Sequence, residues 1–236
     1  MMTSNTAVKY HPSDDQLIDF SAGSLPMSRA LTISAHIDQC AVCQQNINKL
    51  QLLGSIQLET IASQPVADTV KASVLAKISA AKQHPTPRPK PAAEQAPKRV
   101  GGLTIPRCLS RWVPDDYQSI KWTKITSSVF LSELCTDGNG AKASLVKVKA
   151  GGSMAHHGHS GEEVTVILQG SFSDQDGSYN PGDFIFRKSG DKHQPVATHD
   201  QDCICLIVLD GPVQFTGFFT RLLNPFLRLT HPVPSF

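Results

Sequence analysis

Two clusters of histidine, cysteine and glutamate in this 236-residue chain have the composition of metal sites. The first is His36-x3-Cys40-x2-Cys43, with His11 upstream of it. Positions i, i+4 and i+7 of a helix share a face, so a helical stretch here would aim all three side chains at one point. His11 completes a set of two thiolates and two imidazoles, the tetrahedral preference of a structural Zn²⁺. Such an ion lets a small helical segment fold that could not build a core alone.

The second cluster is Gly151-x5-His157-x-His159-x3-Glu163-x6-Gly170, followed by Pro181-Gly182-Asp183 and His193. Here the flanking patterns read as strand. Ala143 to Lys149 partly alternates, and Val164 to Leu168 is apolar and largely β-branched. On a strand the side-chain period is two, so His157 and His159 point the same way. Glu163 has the same parity and faces the same interior if a short turn at Ser160-Gly161 carries the chain into the next strand. His156 and Glu162 have the opposite parity and are excluded. Three imidazoles and a carboxylate suit Zn, Fe, Mn or Ni.

The elements that must position these residues differ on the two sides of a boundary. His84 to Lys98 contains Pro85, Pro87, Pro89, Pro91 and Pro97. That run favours extended polyproline conformations and predicts a linker over 84–99. Before it, over 1–83, the patterning is helical. Ser13 is an N-cap, with Asp14 and Asp15 in the first turn, and Gly23 ends the segment. Pro26 suits the start of a second helix carrying Leu31 and Ile37. A third runs through Ile47, Leu50, Leu53 and Leu58, and Val70, Val74 and Ile78 mark a fourth. Four short helices give a thin core, which a metal staple would reinforce, and some apolar stripes should stay exposed until a partner covers them.

After the linker, over 100–220, short strand-like runs alternate with turns such as Asp137-Gly138-Asn139-Gly140 and Asn180-Pro181-Gly182. This predicts an antiparallel sandwich or barrel. Residues 221–236 carry Pro225, Pro232 and Pro234 and read as an extended tail. The fold class is therefore multidomain, an all-α metal-stapled segment followed by an all-β barrel.

Composition narrows the function. Lys plus Arg number 22 against 20 Asp plus Glu, so bulk charge gives no reason to expect nucleic-acid or membrane binding. The first residues are too polar for a signal peptide and no apolar run reaches transmembrane length, which predicts a cytoplasmic protein. In that compartment six cysteines argue for thiols or metal ligands rather than disulfides. Cys203 and Cys205, in an apolar strand-like run, read as small core residues on one side of a strand.

The second half resembles a cupin. The family's first motif matches at Gly151, His157, His159, Glu163 and Gly170, and the second at Pro181, Gly182, Gly190 and His193. Lys188 stands where many cupins have proline, and the usual asparagine after the last histidine is missing; neither departure touches a ligand. The first half resembles a zinc anti-sigma domain through His11, His36, Cys40 and Cys43. The order of the halves resembles ChrR-type anti-sigma factors over nearly the whole chain. The resemblance implies a partner, a sigma factor of the extracytoplasmic-function group bound 1:1 by the helical part and kept from RNA polymerase core. It also implies release in response to oxidants such as singlet oxygen, through the cupin. His11, His36, Cys40 and Cys43 would hold Zn²⁺; His157, His159, Glu163 and His193 would hold Zn²⁺ or another divalent transition metal. The oxidant could act at the cupin metal, at a nearby thiol such as Cys203, or at the zinc thiolates. The rival reading is an enzyme, since many cupins use the same four ligands for oxygenation or isomerisation.

Overall fold

The computed structural model describes residues 8–83, 98–100 and 103–217. Most of the predicted linker and all of the predicted C-terminal tail lie outside those residues. Helix α1 spans Asp14–Ala22. Its capping box is complete: Ser13 Oγ accepts from Gln16 N–H, and Gln16 Oε1 accepts from Ser13 N–H at 2.9 Å. Gly23 ends it at φ 70°. Helix α2 (Met27–Ile37) follows Pro26, α3 spans Ala41–Thr60 and α4 spans Asp68–Gln83.

Helical spacing was invoked to bring His36, Cys40 and Cys43 to one face; the chain instead breaks between α2 and α3, between His36 and Cys40. Asp38 caps α2, and its carboxylate is taken by Arg107, whose backbone N–H, Nε and Nη2 donate at 2.7, 3.0 and 2.7 Å. Cys40 then adopts extended backbone and becomes the N-cap of α3, its sulfur accepting from Cys43 N–H at 3.5 Å.

The remaining elements are strands. They are β1 (Lys98–Val100), β2 (Leu103–Ile105), β3 (Thr123–Lys124), β4 (Val129–Thr136), β5 (Lys142–Val148), β6 (His157–His159), β7 (Glu163–Gln169), β8 (Phe172–Asp174), β9 (Gly177–Tyr179), β10 (Phe184–Arg187), β11 (Lys192–His193), β12 (Val196–Ala197), β13 (Cys203–Leu209) and β14 (Val213–Phe215). Strand β1 starts at Lys98, inside the range read as linker, and pairs antiparallel with β2. A six-stranded antiparallel sheet runs β10-β7-β13-β5-β4-β3. Two three-stranded sheets, β11-β6-β14 and β12-β8-β9, complete the barrel. Gly170 joins β7 to β8 at φ 65°, and a Cβ there would lie 2.4 Å from the Asp202 carbonyl oxygen. Only glycine fits that turn.

The large sheet is buried on both faces, which is why its central strands lack a clean polar alternation. On β7 and β13, Ile167, Cys203 and Cys205 face the barrel interior with Phe172, Tyr179 and Ile185. Val164, Val166, Leu168, Ile204, Leu206 and Val208 face the other way and share one core with Leu17, Leu31, Ile33 and Ile47 of the helices. Polar ties flank this seam. Arg29 of α2 pairs with Glu162 and Asp210, and Ser28 N–H donates to Asp137 at 3.2 Å. Helix α2 is thus laid directly on the barrel, with α1 and the start of α3 packed into the same core.

Candidate metal centres

The N-terminal centre forms where the segment before α1 meets the α2–α3 corner. His11 precedes α1, His36 lies in the last turn of α2, and Cys40 and Cys43 open α3. Their ligand atoms lie within 4.8 Å of one another. His11 Nδ1 is 3.4 Å from Cys40 Sγ and 3.5 Å from Cys43 Sγ. His36 is buried and its Nδ1 meets the Gly182 carbonyl oxygen at 2.6 Å. A carbonyl only accepts, so Nδ1 carries the proton and Nε2 presents a lone pair. That Nε2 is buried without a hydrogen-bond partner.

Electrostatics point the same way. Burial lowers the His36 pKa to about 4, outweighing the Gly182 bond, which acts to raise it. Burial and the adjacent Cys40 push the Cys43 thiol up to about 12. Burial thus favours the neutral forms of His36 and Cys43; a divalent cation would reverse that preference at the sulfur and stabilise the thiolate. The helix α3 N-terminus, which favours negative charge, holds both sulfurs. The residues fit a tetrahedral cation.

The second centre lies inside the barrel. His157 and His159 come from β6, Glu163 opens β7, and His193 on β11 pairs directly with His157. All four are buried with ligand atoms within 4.8 Å. His193 Nε2 lies 3.0 Å from His157 Nε2 and 3.1 Å from His159 Nε2. Two of these rings are fixed from behind. His157 Nδ1 donates to the Ala155 carbonyl at 2.8 Å, and His193 Nδ1 meets the Asp174 carboxylate at 3.1 Å. Their Nε2 lone pairs therefore converge, an arrangement that repels itself unless a cation sits among them. Burial lowers the pKa of His159 and of His193 to about 4 and lowers that of His157. Burial also raises that of Glu163, whose Oε1 accepts from Thr165 Oγ1 at 2.9 Å. The donor set suits a borderline divalent ion.

The excluded residues stand apart. His156 bonds the Thr216 hydroxyl on an exposed edge, and Glu162 pairs with Arg29. Sequence reasoning missed the supporting groups Asp174, Thr165 and the Gly182 carbonyl. Thr165 was findable, two residues after Glu163 and of equal parity; Gly182 was marked only as part of a turn motif, not as a partner of His36, and nothing marked Asp174. Cys203 and Cys205 are buried together, Sγ to Sγ 3.6 Å. They line a cavity of about 30 Å³ with Met154, Phe172, His157 and Glu163. Burial, with the nearby Asp38 carboxylate, pushes the Cys108 thiol up to about 12.

Fold and sites together define a class of protein: a His2Cys2 helical segment laid on a cupin barrel that carries its own His3Glu cluster. Residues 114–214 match the family described as the ChrR Cupin-like domain. Over 222 residues the chain is 30% identical to the anti-sigma-E factor ChrR of Cereibacter sphaeroides, covering 94% of this chain and 99% of that one. The chain belongs to the ChrR family of anti-sigma factors. A crystal structure of Rhodobacter sphaeroides SigE in complex with the anti-sigma ChrR superposes with a TM-score of 0.69 at 27% identity, over 86% of this chain and 99% of that chain. An RmlC-like cupin protein of Ralstonia eutropha overlaps more narrowly, with a TM-score of 0.39 at 17% identity over 48% of this chain and 83% of its own.

Proposed function

We propose that this chain binds and inhibits a sigma factor of the extracytoplasmic-function group, 1:1 and in the cytoplasm, and releases it when an oxidant acts on the barrel. In this reading His11, His36, Cys40 and Cys43 hold Zn²⁺, and His157, His159, Glu163 and His193 hold Zn²⁺ or another divalent transition metal. The observation that carries it is an apolar surface left exposed among the described residues. Leu52, Leu53, Ile56 and Leu58 of α3, Ile61 after it, and Val70, Val74, Leu75 and Ile78 of α4 are 47–69% exposed. Helices with apolar stripes left in water mark a protein interface. The N-terminal ion would fix the first turn of α3 and so the direction in which this surface projects. The ChrR seen in complex with SigE gives the partner its class.

The cavity beside the barrel cluster bears on the enzyme alternative. Its volume of about 30 Å³ has room for a water or two, whereas small-molecule sites occupy about 300–1,000 Å³. No helix of the described residues is long and apolar enough to cross a membrane.

The test is a pull-down of tagged full-length protein from unstressed native cells, with mass spectrometry of what co-purifies. A near-stoichiometric sigma factor is expected with the wild type, and its loss with Ile56→Asp and Val74→Asp introduced together. A zinc-loaded protein that brings down no sigma factor would refute the reading. Variants His157→Ala and Glu163→Ala should retain the partner in unstressed cells and fail to release it under oxidant; loss of the partner before stress would contradict the assignment of release to the barrel.

A further inference from the structure

We propose that Asp183, a residue of the barrel, positions His11 and His36 of the N-terminal cluster and so raises the affinity of that cluster for its cation. The proposal rests on the reading of the cluster as a metal site. Three consecutive barrel residues hold the cluster at two points, the Lys9-Tyr10 backbone before His11 and the His36 ring. Asp183 is 1% exposed. Its Oδ1 accepts from the backbone N–H groups of Lys9 and Tyr10, at 2.7 and 3.0 Å, immediately before His11. Its Oδ2 accepts from Asn180 N–H at 2.8 Å, which locks the turn from within. Gly182, one residue earlier, gives its carbonyl to His36 Nδ1. Phe184, one residue later, donates its N–H to the Tyr10 carbonyl at 2.9 Å and sets its ring edge-on to His36, centroids 5.8 Å apart.

A buried carboxylate with three N–H donors forms charge-assisted bonds, stronger and more directional than neutral ones. These bonds set where the 8–11 segment lies. Gly182 shows how closely it approaches: at φ 92°, a Cβ there would lie 2.7 Å from Val8 Cγ2. The turn is anchored in turn by the sheet, because Gly182 N–H donates to the Ile167 carbonyl at 2.9 Å and Ile167 N–H donates to the Asp183 carbonyl at 3.1 Å. The barrel therefore supplies an outer shell to a centre whose ligands all come from the helical half. Groups of that kind orient imidazoles for metal without touching the ion.

The test is a Co²⁺ titration of metal-free, full-length protein, read by near-ultraviolet sulfur-to-cobalt charge transfer. That band reports thiolate ligation, and a Cys40→Ala control shows that it arises at the N-terminal centre. Asp183→Ala should weaken Co²⁺ binding about tenfold or more, the usual effect of losing such a supporting group. Asp183→Asn keeps one acceptor oxygen for Lys9 and Tyr10 and should fall between; that graded rescue is what a packing role alone would not give. Thermal unfolding checks the barrel. Should Asp183→Ala fail to fold, Asp183→Asn and Lys9→Pro decide the matter, since the latter removes one donor without altering the barrel. Affinities within about twofold of wild type, where supporting groups are worth tenfold or more, would overturn the proposal. A wild type with no thiolate band would instead overturn the metal reading of the cluster, and the proposal with it.

Discussion

A Cys40→Ala chain is expected to be purified without its N-terminal cation and with little hold on a sigma factor, its metal affinity reduced at least ~10³-fold by loss of one thiolate from a four-ligand site. Cys40 has two roles that one substitution removes together. It is a candidate ligand, 3.4 Å from His11 Nδ1, and it caps α3 through the N–H of Cys43. The variant Cys40→Ser separates them. Serine is a good N-cap, worth about 1 kcal/mol over alanine, but its hydroxyl is a poor ligand for a borderline ion. Ser should recover part of the thermal stability and almost none of the metal. Metal analysis and the pull-down, run on both variants, give the answer. A Cys40→Ser protein that captures its partner at wild-type level would mean that the cap matters and the metal does not. The interior of the barrel should be unaffected, because Ile167, Phe172, Ile185 and their neighbours form a core separate from the one that holds Cys40 and Cys43.

Stripped of metal, the protein is expected to lose stability steeply as pH falls from about 6.5 to about 4. His36, His159 and His193 are buried, and burial lowers each pKa from 6.5 to about 4. Between those values the unfolded chain binds a proton at each histidine and the folded chain does not. Stability is therefore fully present above the unfolded value and is lost as pH falls towards the folded one, at about 1.4 kcal/mol per pH unit for each group. Over the whole window His36 alone amounts to about 3 kcal/mol, a sizeable share of an ordinary domain's stability, and His159 and His193, close enough to titrate as a unit, add to the loss in the same direction. Glu163 opposes them. Burial raises its pKa, so the folded state takes up its proton first and recovers some stability as pH falls. Cys43 acts at the other extreme: its thiol, pushed from 9.0 up to about 12, withdraws stability as pH rises above 9. Urea melts of chelator-treated and metal-loaded protein from pH 4 to 8 decide this. A metal-free midpoint that stays level between pH 7 and 5 would show that the histidines are not buried as neutral rings.

Much of this architecture was legible in the residues. Ser13 and Gly23 bound α1 as capping chemistry requires, and the apolar spacing located all four helices. Parity alone grouped His157, His159 and Glu163 and set His156 and Glu162 aside. The corner between α2 and α3 was not legible, because His36, Cys40 and Cys43 satisfy helical spacing whether or not the helix is continuous. What breaks it is Asp38 reaching Arg107, a partner 69 residues away. The docking of helices on barrel had a trace that the proline run obscured. Residues 164–168 and 203–209 are apolar at both parities, so each strand needed a cover on either face. A barrel supplies one such cover; the other had to come from the helical half.

That double-sided burial makes β13 sensitive to its length in a way that its composition conceals. Cys203 and Cys205 look into the barrel cavity beside His157 and Glu163, while Ile204, Leu206 and Val208 look into the helices. Removing a single residue near the start of the strand would exchange the two sets, turning leucine and isoleucine towards the histidine cluster and cysteine towards the helices. Point substitutions in β13 can therefore be sorted by parity into those that disturb the cavity and those that loosen the seam, whereas a one-residue deletion damages both at once. Changes in chain length should be tolerated only in the turns, such as Asp200-Gln201, where no frame has to be kept.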